Sequence, residues 1–324
     1  MRGLATVTGG LLRSSSFPGF AMMLLLIGVN AVITTGFLRL SSLVSLLNLI
    51  TPLVCLSMGL GIAVLSGGLD ISIGAVVCLV NVVLVTLSGQ GTPLAYAVLA
   101  AIGAALAVGA LNGIVIGYLR VNALLVTFAT QSVAGGLALW IMPLPSGQLS
   151  PGFVEGYSSG TFLALPVALL VVLTLLGGWG VLRLTPYGTY LLAVGRDEQK
   201  AYVSGIDTRR VLLVSYVLSA LCAGIGGVTF SANIGGGDPL AGLSMTLNAL
   251  AAVVIGGISL SGGRGGVLGC IFGAVFFALI TETVLGASVA AFYQDLAAAL
   301  IILAGVLGMN LLQRATAIAD GYRT

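Results

Sequence analysis

AVGRDEQKAYVSGIDTRR, residues 193–210, is the stretch that sets the topology of this chain. Seven of its 18 residues are charged (Arg196, Asp197, Glu198, Lys200, Asp207, Arg209 and Arg210), whereas charged residues make up 6% of the 324-residue sequence. Around it the chain is apolar, with 58% hydrophobic residues, 48 glycines and a mean hydropathy of +1.18. Soluble domains are about a quarter charged, so this composition belongs to an integral membrane protein. A charged island between two apolar runs must lie in water. It therefore marks a connector, and it fixes the membrane face on which the flanking spans end and begin.

Working outward, apolar windows of about 20 residues fall at 18–37, 44–66, 71–88, 93–118, 122–142, 161–182, 210–231, 246–260, 266–285 and 292–312. The expected fold is all-α: a polytopic helical membrane protein of about ten transmembrane helices, with broken or kinked spans, forming a single domain over 1–324. Cytoplasmic loops carry the excess of Lys and Arg. With the N-terminus inside, ten spans put Arg2, Arg13, Arg120, Arg183, Arg196, Lys200, Arg209, Arg210, Arg264, Arg314 and Arg323 in the cytoplasm, and Arg39 alone outside. Both termini are then cytoplasmic. The connector PLPSGQLSPGFVEGYSSG (143–160) reads as an external loop. The first apolar run, preceded by Arg2 and Arg13, lacks an A-x-A-like cleavage site and reads as a retained span.

Missing residue types exclude several chemistries. Without histidine there is no H-E-x-x-H zinc site and no Ser-His-Asp triad. A P-loop needs Gly-Lys-[Ser/Thr], and the single lysine, Lys200, lies between Gln199 and Ala201. Any nucleotide chemistry must come from another chain. Cys55, Cys78, Cys222 and Cys270 each sit in an apolar run with no C-x-x-C pair, which suits small core residues. No catalytic or metal-ligating residues are expected.

The island itself carries helix signals. Asp197 can cap a short helix, Glu198 and Gln199 suit its first turn, Gly205 can end it in the left-handed conformation, and Asp207 can cap the next span. Two such turns are about 15 Å long and do not hold alone in water, so the segment must lean on the protein or on a partner. A merely solvated loop is the plain alternative. The pattern Gln199-Lys200-Ala201-x-x-x-Gly205 resembles the E-A-A-x-x-x-G coupling segment of binding-protein-dependent ABC importers, with Gln and Lys in place of Glu and the first Ala.

The resemblance extends along the chain. TPYGTYLLAVGRDEQKAYVSGIDTRRV (185–211), SYVLSALCAGIGG (215–227) and ALAAVVIGGISLSGGRGGVLGCIFGA (249–274) resemble the ribose-type sugar ABC permease family in residues and spacing. GLGIAVLSGGLDISIGA (59–75) is similar to that family's Gly-Gly-Ile-Asp-Leu-Ser-x-Gly signature. The family implies a permease in a bacterial inner membrane, without nucleic acid. Its partners would be a second permease subunit (homodimer or heterodimer), ABC ATPase subunits, an extracytoplasmic solute-binding protein and membrane lipid. ATP and magnesium would be bound by the ATPase. The coupling helix within 196–206 would dock on that ATPase through Arg196, Asp197, Glu198, Lys200, Ala201, Ser204 and Gly205.

Polar residues inside spans mark candidate pathways, and here they are Asn81, Asn112, Thr127, Gln131, Asn248 and Glu282. After Asn122 the family usually reads apolar residues followed by Ala-Thr-Leu-Gly. This chain has LLVTFATQS, departing at Phe128 and Ala129, so the resemblance does not identify the cargo. Asp70, in SGGLDIS, is expected to cap the third span. Gly256, Gly257, Gly262, Gly263, Gly265 and Gly266 lack a P-loop lysine and suit close helix packing. An ion-coupled secondary transporter would depend on Glu282, since Asp70, Asp238 and Asp295 lie at span ends or in loops. A membrane enzyme would need an acidic or histidine cluster that the sequence lacks.

Overall fold

The computed structural model describes residues 16–287 and 289–293, with single positions at 296, 299, 300 and 303. The expected tenth span, 292–312, falls for the most part outside these residues, as do Arg2, Arg13, Asp295, Arg314 and Arg323. Helices α1 (Phe17–Ile33), α2 (Leu40–Leu65), α3 (Ile73–Gly89), α4 (Leu94–Gly117) and α5 (Ala123–Ile141) come first. The long connector then holds β1 (Ser146–Gln148), α6 (Pro151–Ser158) and a hairpin of β2 (Thr161–Phe162) and β3 (Leu165–Pro166). After it follow α7 (Val167–Leu184), α8 (Pro186–Arg196), α9 (Glu198–Val203) and α10 (Thr208–Ile234). Strand β4 (Gly236–Gly237), α11 (Met245–Ile255) and α12 (Val267–Gly286) complete the bundle.

The expectation of ten full-length spans is not matched. Among the described residues six helices, α2, α4, α5, α7, α10 and α12, are long and apolar enough to cross a membrane. Helices α1 and α3 have 17 residues each and α11 has 11. At 1.5 Å per residue α11 is about 16 Å long, roughly half the hydrocarbon thickness. Glycine and Asp-Pro explain the shortfall. The segment before α3 carries Gly67, Gly68 and Asp70, and the one before α11 carries Gly235, Gly236, Gly237, Asp238 and Pro239. Non-helical backbone is tolerated at membrane depth where protein covers it. The first turns of α3 and α11, which follow these segments, meet where the Gly74 amide donates to Thr246 Oγ1 at 3.1 Å.

Helix α10 is the axis of the bundle, packed against α2, α3 and α4. Its grip on α4 follows from a period-four stripe that the glycine reading above does not single out: Ala97, Ala101, Ala105, Gly109, Gly113 and Gly117, all buried. A Cβ on Gly109 would stand 2.7 Å from the Tyr216 carbonyl, and one on Gly113 or Gly117 2.8 Å from Leu213 Cα or the Arg209 carbonyl. Numbers rise on one helix as they fall on the other, so the pair is antiparallel. Small residues let membrane helices approach backbone to backbone, and dispersion then supplies the attraction that lipid cannot. On the opposite side, Gly59 of α2 would place a Cβ 2.6 Å from the Ser219 carbonyl.

Pro52 inside α2 cannot donate to the carbonyl of Asn48 four residues back. That freed carbonyl accepts instead from Tyr157 Oη of α6 (3.0 Å) and Asn233 Nδ2 of α10 (2.8 Å), while Asn48 Nδ2 donates to the Ser158 carbonyl. Strand β1 pairs with β4 at the same end. At the other end, the segments 66–72, 118–122, 185–207 and 256–266 gather. This sorting of alternate connectors follows the order that the charge asymmetry requires. All four cysteines are buried and free.

Gly109→Ala should destabilise the protein by about 1–3 kcal/mol, the usual cost of overpacking. Gly103→Ala, on the open face of α4 where an added Cβ meets nothing within 4 Å, should not. Thermal unfolding of the two variants in detergent checks the difference.

Candidate functional site

The connector end carries the charged island. Asp197, extended at φ −163°, ends α8 and opens α9. Its Oδ1 accepts from the Lys200 amide at 3.0 Å, and its Oδ2 lies 2.9 Å from Lys200 Nζ. The Lys200 amide first, and then its ammonium, hold the Asp197 carboxyl below its ordinary value. A carboxylate depressed in this way keeps its cap through the neutral range and loses it only as pH falls below the ordinary carboxylate range. The other end of α9 closes with Gly205 at φ +86°, whose amide donates to the Tyr202 carbonyl, while the Ile206 amide donates to that of Ala201. Asp207 then receives the Arg210 amide and caps α10. The caps expected at Asp197, Gly205 and Asp207 are thus all formed.

The seven expected docking residues divide by environment. Lys200, Ser204 and Gly205 are exposed, and the Ser204 hydroxyl donates to the Lys200 carbonyl. Ala201 is buried and turned into the protein, so it lets α9 sit close to α8 and offers no surface to a partner. Arg196 Nε donates to the Gly263 carbonyl at 3.1 Å, and Glu198 pairs with Arg120. What the charges frame is an apolar tip, Tyr202 and Val203, with 64% and 86% of their surface exposed. The sequence reading passed over both, although an apolar pair inside a charged connector is itself a signal. Beside them a groove of about 620 Å³ runs along Tyr118, Tyr202, Gly205, Ile206, Thr208 and Arg209.

Glycines seat this unit on the bundle. A Cβ on Gly195 would collide with the Leu65 carbonyl, the carbonyl that also accepts from the Gly263 amide at 3.1 Å. Gly262, at φ +83°, closes against Gly67 and the Gly195 carbonyl. The SGGRGG segment (261–266) therefore packs the last turn of α8 onto the end of α2, which is the close-packing role expected of it.

Deeper in the bundle lies a dry polar chain. Thr130 Oγ1 donates to Asn112 Oδ1 (2.7 Å), Asn112 Nδ2 to Ser72 Oγ (3.0 Å), and Ser72 Oγ to Asp70 Oδ1 (2.6 Å). Ser219 Oγ of α10 holds the other Asp70 oxygen at 2.8 Å. Asp70 does receive the Ser72 amide, as a cap would, but it also ties α3 to α10 and, through Asn112 and Thr130, to α4 and α5. Thr127 Oγ1 donates to the Leu69 carbonyl. Asn81 joins Ser231, the Gly236 carbonyl and the Asp238 amide. Three of the six expected pathway residues, Asn81, Asn112 and Thr127, thus have their polar atoms engaged between segments of the protein. Gln131 on α5, Asn248 on α11 and Glu282 on α12 are half-buried, with no hydrogen-bond partner among the described residues.

Replacing Asn112 with Ala should cost about 0.5–2 kcal/mol, the range for hydrogen bonds between membrane helices. The Asn112→Ala/Thr130→Ala pair should cost less than the sum of its singles, because they share one bond. Thermal unfolding of the three variants measures both.

A model of the branched-chain amino acid transport system / permease component family matches residues 42–307. The ribose import permease of Escherichia coli is 27% identical over 295 residues, covering 89% of this chain and 91% of that protein. The galactofuranose transporter permease of the same organism is 32% identical over 275 residues, covering 81% and 80%. The ribose import permease of Bacillus subtilis is 31% identical over 292 residues, covering 89% and 90%. No solved structure matches. These relatives bear out the resemblance to ribose-type permeases that the motifs carry. The chain belongs to the permease component family of the branched-chain amino acid transport systems.

Proposed function

We propose that this protein is the membrane subunit of an ATP-driven importer that moves a sugar or sugar-like solute across a bacterial inner membrane. It works beside a second permease subunit, receives its solute from an extracytoplasmic binding protein, and is energised by separate ATPase subunits that bind ATP and magnesium. The similar permeases named for ribose and galactofuranose support the solute class. The absence of any P-loop supports an energy source outside this chain. Both termini and the 196–206 segment face the cytoplasm in this reading, in line with the clustering of Arg and Lys in this segment.

One observation carries the coupling role: α9 is a capped helix whose tip, Tyr202 and Val203, is exposed beside the start of α10. Aromatic residues ringed by polar groups are the usual anchors of protein interfaces. An ATPase cleft that closes on this tip carries α10 with it, because Asp207 caps α10 two residues beyond Gly205. Differential contact with two ATPase states then biases the bundle between inward and outward opening. For the solute, the side chains with free hydrogen-bonding groups, Gln131, Asn248 and Glu282, are the ones we assign to the pathway. Asn81, Asn112 and Thr127 would instead hold its walls.

Gly205→Arg should insert normally yet fail to capture the ATPase and lose uptake. Tyr202→Asp, which leaves the backbone alone, should cut both at least about tenfold, as loss of an interface anchor does. Co-purification from membranes and vesicle uptake read the two effects. Capture unchanged in both variants would refute the assignment, as would labelling of a cysteine at Val203 from outside the cell.

A further inference from the structure

Arg120 lies in the five-residue connector between α4 and α5, and nothing in its local sequence marks it out beyond its charge. Its backbone is left-handed, at φ +59°, a conformation that arginine rarely adopts. From that turn the guanidinium pairs with Glu198 of α9 and donates from Nη2 to Thr208 Oγ1, at the first turn of α10, at 3.0 Å. Among the described residues this is the ion pair that joins distant parts of the chain, since the other two, Lys200–Asp197 and Arg210–Asp207, are each three residues apart. Arg120 therefore touches both sides of the docking segment at once, the start of α9 and the start of α10.

We infer that Arg120 is a positioning residue for transport: it carries movement of the docking helix α9 into the α4–α5 hairpin. The inference rests on the docking role proposed for 196–206, and it adds the route by which the motion spreads. Without Arg120, α9 bears on α8 and on the start of α10. A displaced α9 would then reach the α4–α5 connector only indirectly, through α10 and the packing of Gly117 on the Arg209 carbonyl. With Arg120 in place the connector moves as part of the same body. Both partners are about two-fifths exposed, so the pair contributes little to stability. Its planar fork serves geometry, holding two acceptors that a lysine ammonium would hold less rigidly.

The test uses the permease assembled with its ATPase subunits in lipid, with spin labels at cysteines replacing Leu119 in the connector and Val181 on α7, both exposed. The expected result is that ATP shifts the distance between the labels in the parent. Arg120→Gly, which suits the left-handed turn while removing the side chain, should keep ATPase capture but reduce that shift at least about threefold. Arg120→Glu should do the same through repulsion. A full shift in Arg120→Gly or in Arg120→Glu, or no shift in the parent, would overturn the inference. So would loss of ATPase capture in Arg120→Gly, which would make Arg120 part of the docking surface. A parent that captures no ATPase would instead refute the docking reading itself.

Discussion

The close approach of α10 to α4 and α2 is the contact on which the rest of this structure depends. Lipid tails are as apolar as leucine, so no hydrophobic force drives two such helices together inside a membrane. What can hold them is dispersion between backbones that approach nearly to contact. Gly109, Gly113 and Gly117 on one helix and Gly59 on another make that approach possible, each with a backbone atom of α10 2.6 to 2.8 Å from where its Cβ would stand. Once α10 is gripped in this way from Arg209 to Ser219, it cannot shift at one end without carrying its neighbours. A helix that starts directly after the Gly205–Asp207 turn and runs through the centre of the bundle is a lever by construction.

Close packing of backbones leaves little room for polar side chains, and those that remain are satisfied with few exceptions. Pro52 frees one carbonyl, and two separate elements supply donors to it. Asp70 is 1% exposed, and both of its oxygens accept hydrogen bonds. In a low-dielectric interior such a chain of bonds stiffens what it joins, because any displacement leaves a group unpaired. The dips at 66–72 and 235–244 survive inside the protein for the same reason. Asp70 and Asn81 accept from the Ser72 and Asp238 amides within them, and Thr246 accepts from the Gly74 amide just beyond the first.

Much of this was legible beforehand. The caps at Asp197, Gly205 and Asp207 were, since they depend on local chemistry: an acceptor before a helix and a left-handed residue after it. The crowded island at 193–210 located the connector end because charge cannot hide in lipid. The dips were not legible, because a window of hydropathy counts Gly-Gly-Leu and Gly-Gly-Gly as apolar whether or not they are helical. Composition marks Asn112 and Thr127 as polar groups within spans but not what their side chains touch. Their partners, Ser72 and Leu69, lie 40 and 58 residues away. The period-four stripe on α4 stood in the sequence all along. It shows as packing once α10 is seen lying on it.

The two ends of the bundle are held by unlike bonds, and that difference has a mechanical consequence. At the end carrying α6 and β4, neutral hydrogen bonds and a strand pair lace α2, α3, α10 and the long connector together. At the other end α8 rests on glycine backbones, and α9 meets the α4–α5 connector through the half-exposed Arg120–Glu198 pair. Neutral bonds inside a dry lattice break only by leaving buried groups unpaired, whereas a half-exposed ion pair can exchange partners with water at little cost. Movement that begins at α9 therefore reaches α10 and its glycine-packed neighbour α4 first and the laced end last. Densely packed helices settle into discrete arrangements and do not bend continuously, so the motion such a gradient favours is a tilt of α10 and its close neighbours about the laced end.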